Sequence, residues 1–492
     1  MRQSRLVKRL EKLGNKERER FIRFVQSPYF NQHENTTRLL DLLMLAIEKG
    51  QDRYFQKEHL FKKLFPGEAY DEQQVYNVMT YLLRLYHRFL AHERMENQAY
   101  EESIMTLEEA YTNSQLDVFT NRAKYFEKQL QQQPTYDTQY YYTLFRYRTL
   151  WRDYTVNHVK RSDQKSGAQL LRSLDEFYIL EKLRQCCLLR AHEMIMNTQY
   201  DFSMLSAVLD YVDKHWARFQ HMPTIAAYYT VWQMLEESEE ATHYQRLKAL
   251  LLKHTDDYTF DTLNELYDFA SNYCILKVNS GNRDFQKELF DIYKQSIKNE
   301  TVLRNGKIDG WDYKNISTLG CHLEEFNWTY HFIETYKEKL LQTHQTNAYN
   351  YSLAYYHLSR EDYDQARTLL LEVQFTEVQY HLGGNLLLMR SYYALDDIEA
   401  LLSLLESMRI YIMRSKKMTV KEKRGYKNML RFTKKLVQLK TDQMVMRTAE
   451  FTAKVEKLRD DIETNENVYA KSWILQQCKI LLQGTAQKRM RM

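Results

Sequence analysis

Residues Asn347 to Tyr411, NAYNYSLAYYHLSREDYDQARTLLLEVQFTEVQYHLGGNLLLMRSYYALDDIEALLSLLESMRIY, present one structural unit twice. In the first copy Leu353, Ala354 and His357 share one helical face, and after a short polar turn Tyr363, Ala366, Leu370 and Val373 share another. Apolar residues at helical intervals on both sides of a turn predict two helices folded into a hairpin. A shift of 35 positions carries these residues onto Leu388, Met389, Tyr392, Ile398, Leu401, Leu405 and Met408, so the hairpin recurs. Its two apolar stripes face different neighbours, and stacking on the next copy covers what the partner helix cannot.

The spacing is close to the roughly 34-residue period of a tetratricopeptide repeat. Glu361-Asp362-Tyr363-Asp364-Gln365-Ala366 is similar to the acidic turn, aromatic and small residue that open the second helix of such a hairpin. Acids there suit the positive end of the helix dipole. The second copy carries Leu401 where the small residue belongs, and neither copy ends in proline, which makes the repeat degenerate.

With 12 Gly and 4 Pro in 492 residues, the chain has too few turn formers for a β-rich fold. The expected class is all-α: an α-solenoid of degenerate tetratricopeptide-like hairpins with helical caps, an architecture that grows by lengthening its core. The 39 tyrosines suit helix seams that are apolar on one side and wet on the other. Net charge is +5, yet residues 409–492 hold 21 Lys+Arg against 8 Asp+Glu, so the basic character is C-terminal. No apolar run approaches the ~18 residues of a membrane span. The start MRQSRLVKRLEKLG lacks the apolar core of a secretory signal. Five cysteines without CxxC or Cys/His ligand spacing indicate reduced thiols and no structural metal, hence a cytoplasmic protein.

Three segments follow. Residues 1–98 form an N-terminal helical module or cap, 99–411 the solenoid, and 412–492 a basic helical cap. In the first, a helix around Leu60 to Leu64 ends at Pro66-Gly67 before another running from Asp71 to about His92. That pair invites a DNA-binding helix-turn-helix reading, but its second helix opens with Asp71-Glu72, negative charge where phosphate and base contacts belong. Further on, helices are expected at Glu101 to Thr112, Gln115 to Gln132, Asp137 to Val159, Gln169 to Met196, Ser203 to Phe219 and Thr224 to Glu236. Trp311 to Leu341 adds a hairpin, and longer helices follow Tyr411.

The combination of SPYFN near the start, LFPG with a following tyrosine, EEFNW, the AYYHLSREDYDQA hairpin and a basic Arg-Ser-Lys-Lys segment resembles a family of uncharacterised bacterial tetratricopeptide-like proteins, over essentially the whole chain. The resemblance implies a helical-repeat fold and brings no activity, ligand or catalytic residue.

Catalytic spacings are missing: no HExxH, GxGxxG, GxxxxGK[ST] or GxSxG occurs, and His87 and His92 are five apart instead of four. No metal, cofactor or enzymatic activity is expected. Cys186-Cys187 lies in an apolar helical run, where thiols are inert.

Two features point to binding. In the tetratricopeptide arrangement the first helix of each hairpin lines a groove, and its groove positions are Tyr351 and Tyr355 in one copy, Arg390 and Tyr393 in the next. Tyr and Arg are the types that anchor protein interfaces, so the leading expectation is a scaffold that binds a protein or peptide. The other feature is Arg409 to Lys440, whose patch comprises Arg414, Lys416, Lys417, Lys421, Lys423, Arg424, Lys427, Arg431, Lys434 and Lys435, interleaved with Tyr411, Tyr426 and Phe432. Its density suits phosphates, and the alternative expectation is a nucleic-acid-binding regulator.

Overall fold

A computed structural model describes residues 2–98, 100–132, 135–196, 198–341, 345–373, 378–443 and 445–490, with no side chain described at 131, 378–380 or 484–490. Among these residues every named element is helical, and pairing of extended backbone is confined to two isolated bridges, Arg304 with Lys307 and Ile308 with Leu340. No helix among them is long and apolar enough to cross a membrane. The chain divides into two compact units, residues 1–182 and 183–492.

The first unit opens with α1 (Arg5–Lys12), α2 (Asn15–Gln26), α3 (Glu34–Lys49), α4 (Lys57–Leu64) and α5 (Glu72–Asn97). These five enclose one core in which Phe21, Leu39, Leu60 and Leu82 are fully buried. SPYFN is a structural turn: Phe30 stacks on Phe24 at 4.1 Å, while the Asn31 amide donates to the Val25 carbonyl at 2.9 Å. Next come α6 (Glu101–Thr112), α7 (Leu116–Gln132) and α8 (Thr138–Tyr154), which ends in a π-helical turn over Thr155–Val159. The division between units falls inside α9 (Gln164–Ile195).

The second unit continues with α10 (Leu205–Lys214), α11 (Trp216–Phe219), α12 (Pro223–Glu236), α13 (Ala241–Lys253), α14 (Phe260–Asn279), α15 (Phe285–Lys298), α16 (Gly310–His322) and α17 (Phe326–Tyr336). Then follow α18 (Gln345–Ser359), α19 (Tyr363–Leu371), α20 (Val378–Ala394), α21 (Ile398–Arg414), α22 (Val420–Asp442), α23 (Thr448–Glu463) and α24 (Lys471–Met490). The single helix expected over Ser203 to Phe219 is two, interrupted at His215, whose φ of −112° lies outside the helical region.

Consecutive helices pack as hairpins, and alternate helices also touch: α12 with α14, α16 with α18, α18 with α20, and α22 with α24. Three pairs of positions 35 residues apart match in burial. Ala354 and Met389, Ala366 and Leu401, and Leu370 and Leu405 are each fully buried. Asp362 and Asp397 both cap the second helix of their hairpin, accepting from the Gln365 and Ala400 amides.

Three hairpin turns of the second unit are built without glycine at the left-handed position. Glu324, Glu361 and Asp396 take the left-handed conformation, with φ of 60°, 63° and 58°. The following amide then reaches back to an orphan carbonyl of the first helix: Glu325 to Gly320 at 3.0 Å, Asp362 to His357 at 2.9 Å, Asp397 to Tyr392 at 3.0 Å. This is the Schellman closure, which usually recruits Gly at the left-handed position. Ser114 and Glu300 do the same after α6 and α15.

Candidate functional site

The three matching turns set a common register for α16, α18 and α20. Counting back the same number of residues from Glu324, Glu361 and Asp396 aligns Lys314 with Tyr351 and Leu386, and Thr318 with Tyr355 and Arg390. These positions recur on the first helices of three successive hairpins; Tyr351 is 8% exposed and packs in a core cluster with Ala354, Leu370, Leu387 and Leu388, whereas Lys314, Thr318, Tyr355, Leu386 and Arg390 are half-buried.

Around this column the structure gathers cations and aromatic rings. The Lys314 ammonium lies 4.2 Å above the Trp311 ring and 5.9 Å from the Tyr351 ring. The Tyr351 hydroxyl approaches α20 at Gly383, where a β-carbon would come within 3.1 Å of it. Glycine there keeps the ring in place. The Tyr355 hydroxyl is 3.0 Å from His322 Nδ1, and the two rings stack with centroids 5.9 Å apart. Arg390 lies 5.9 Å from the Trp473 ring and feels Tyr351 and Tyr355 electrostatically.

Burial sets the electrostatics. It pushes the Tyr355 hydroxyl up to about 12 and raises Tyr351 as well, so both phenols remain neutral donors at every physiological pH. It lowers the Lys314 and Arg390 groups, because desolvation disfavours their charged forms. The Arg390 Nε is buried and has no hydrogen-bond partner.

Tyr393 does not join the column. At a 35-residue offset it matches Leu358, and it turns inward: it is 4% exposed, its ring meets Trp473 edge-on at 5.4 Å, and Lys440 covers it at 4.3 Å. Only Tyr351, Tyr355 and Arg390 of the four expected groove residues come together, with Lys314 as the member that sequence reasoning missed. Its signal was the shared distance to the acidic turn, ten residues before Glu324 as Tyr351 is before Glu361.

Beside the column, between α14, α15 and α16, lies a polar cavity of about 240 Å³ lined by Asn264, Asp268, Asn272, Tyr293, Arg304, Asp312 and Asn315, among others. Burial, then the charges of Asp309 and Asp268, raise Asp312 to about 6, against a lowering pull from Arg304. Asp268 is also raised by burial. A carboxyl whose folded pKa exceeds its unfolded value near 3.8 binds its proton more tightly when folded, so it stabilises below the unfolded pKa and loses that contribution as pH rises through the folded one. Asp312→Asn should therefore raise stability at pH 7 by about 2 kcal/mol and flatten the decline in stability between about pH 4 and 6, read by urea unfolding across pH.

The basic patch is exposed for most of its length. Arg414 ends α21, Lys416 and Lys417 lie in the connection, and Lys421 and half-buried Lys423 open α22. Arg424, Lys427, Arg431, Lys434 and Lys435 follow helical spacing along one solvent face of α22, a stripe about 16 Å long. Lys434 and Lys435 meet Glu406 at 3.7 Å and Asp461 at 3.4 Å. The interleaved aromatics face inward: Phe432 is 1% exposed, Tyr426 stacks on Tyr469 at 3.9 Å, and Tyr411 packs on His381 at 4.0 Å. They are engaged in packing and offer no platform for bases.

In the N-terminal module α5 is the central core helix, burying Val75, Met79, Leu82, Leu85, Tyr86 and Phe89. Its acidic start is tied down by Asp71 capping Gln73 at 2.8 Å and by a 2.5 Å ion pair of Glu72 with Lys57. None of the five cysteines forms a disulfide and all are buried, and burial pushes the Cys187, Cys274, Cys321 and Cys478 thiols up, which suits inert groups. Among the described residues Glu237, Glu240 and His243 bring metal-ligand atoms within 4.8 Å of one another. They sit at the α12–α13 turn, with His243 already 2.8 Å from Glu237.

No family model, curated protein or solved structure matches this chain.

Proposed function

We propose that the chain is a non-enzymatic, cytoplasmic interaction scaffold. It is an α-solenoid of degenerate tetratricopeptide-like hairpins, and it binds a segment of a partner protein along the column of Lys314, Tyr351, Tyr355 and Arg390. The observation that carries this reading is the repetition of the column on three successive first helices, where half-buried Lys314, Tyr355 and Arg390, side chains of interface type, gather around buried Tyr351. Five buried cysteines outside any disulfide support a reducing compartment.

A photo-crosslinking amino acid at position 355 tests it, with position 330 as control because Tyr330 is 46% exposed on the second helix of its hairpin. Irradiation in native lysate should give discrete adducts from position 355 that Tyr351→Ala abolishes, and none from 330. Equal patterns from both positions would remove the groove reading.

The one-sided cationic stripe of α22 favours a second reading, docking of nucleic acid by its phosphates. In that case affinity would fall with salt at a slope of about −0.9 per phosphate contact. The inward-facing aromatics favour the scaffold, which predicts no duplex or single-strand binding at physiological salt in a fluorescence-anisotropy titration.

A further inference from the structure

Several half-buried arginines of this chain are paired with carboxylates. Arg146 forks onto Glu101 and Glu108, Arg184 meets Glu265 at 2.7 Å, and Arg190 meets Glu193 at 2.9 Å and Glu236 at 2.7 Å. Among the described residues Arg390 has no carboxylate partner, although Arg246 likewise meets only a ring, that of Trp216. Its buried Nε has no acceptor among the described residues, its guanidinium lies 5.9 Å from the Trp473 ring, and the Tyr355 and Tyr351 hydroxyls are the groups that act on its charge.

A desolvated guanidinium without an anion is a net cost to the free protein. It is offset when a planar acceptor arrives to take its parallel N–H donors. We propose that Arg390 receives the carboxylate of an acidic side chain in the partner's docking segment, with Tyr351 and Tyr355 flanking it. The claim deepens the scaffold reading and rests on it.

Carboxylate fits better than phosphate. Lys314, Tyr351, Tyr355 and Arg390 all lie inside their helices and not in a first turn, so the backbone amides that complete phosphate sites at helix N-termini are not at hand. A two-oxygen acceptor matches one guanidinium fork, and the surrounding rings match the apolar flanks of a peptide side chain. Lys314, on α16 beside Tyr351 of the intervening α18, adds a second positive charge along the column and favours acidic over basic segments.

The test is selection of a phage-displayed library of random dodecapeptides on the intact protein, followed by synthesis of the most enriched peptide and of its version with Asp or Glu replaced by Asn or Gln. Enriched sequences should share an acidic residue. The amide version and the Arg390→Gln protein should each lose about tenfold in affinity, and combining them should cost little more, because both remove the same bond. Arg390→Lys should restore part of the loss, and thermal unfolding verifies that each variant is folded. Losses that add, or enrichment without acids, would overturn the proposal. Peptides that bind independently of Arg390 but are lost in Tyr355→Ala would refute the acid contact alone and leave the groove standing. Peptides indifferent to both changes, or no enrichment at all, would refute the contact and the groove together.

Discussion

Gly320→Val is expected to destabilise the second unit by about 3 kcal/mol or more. Gly320 sits in α16 where α17 crosses it, and a β-carbon there would collide with the Thr329 hydroxyl and come within 3.2 Å of the Phe290 ring and 3.3 Å of Thr329 Cβ. Relief is blocked on both sides. Thr329 is fully buried, and its hydroxyl donates to the Glu325 carbonyl at 2.8 Å. The Gly320 carbonyl itself accepts the closing bond from Glu325. In register, Thr329 occupies the place of Ala366 and Leu401 in the next hairpins, so the closest approach of this pair is provided by a glycine on the opposite helix. Chemical denaturation would give the magnitude, and hydrogen exchange would locate the loss of protection in Gly310–Tyr336.

The second large effect belongs to the first unit. Arg146 on α8 donates to both oxygens of Glu101 at 2.9 and 3.0 Å and to both oxygens of Glu108 at 3.0 and 2.9 Å. Glu101 is 8% exposed. Arg146→Met leaves that carboxylate buried beside nothing positive, and the expected cost is about 3 kcal/mol. The Gln139 amide at 3.2 Å cannot replace a charge. Adding Glu101→Gln should recover a large part of the loss, since removing both charges is far cheaper than stranding one. Additive losses in urea unfolding would count against this account of the pair.

Much of the second unit was legible because its cause is local. The apolar period that predicts the Asn347 to Tyr411 hairpins is the one that buries Ala354, Leu370, Met389 and Leu405, and the acids placed in the turn by dipole reasoning are its caps. The turns were less legible: the left-handed position calls for glycine, whereas Glu324, Glu361 and Asp396 hold it, with the Schellman bonds keeping the strained backbone in place. Tyr393 was misplaced by one helical step, a shift that moves a side chain from a groove into a core. Asp268 and Asp312 escaped notice because they meet only when α14 and α16 fold against α15. Spacing in the chain carries no trace of that.

The same logic separates a structural cation from a recognition cation at Arg390. If its contact with Trp473 supports the fold, replacement forfeits about 0.5–1 kcal/mol of cation–π energy. If instead the guanidinium is held desolvated for a ligand, a neutral side chain of similar length relieves a larger cost, and stability is exchanged for function. The most direct measurement is the melting temperature of the ligand-free Arg390→Met protein. The recognition account predicts a rise of about 1–3 °C; a fall of that size would make Arg390 a support of the fold and contradict the account.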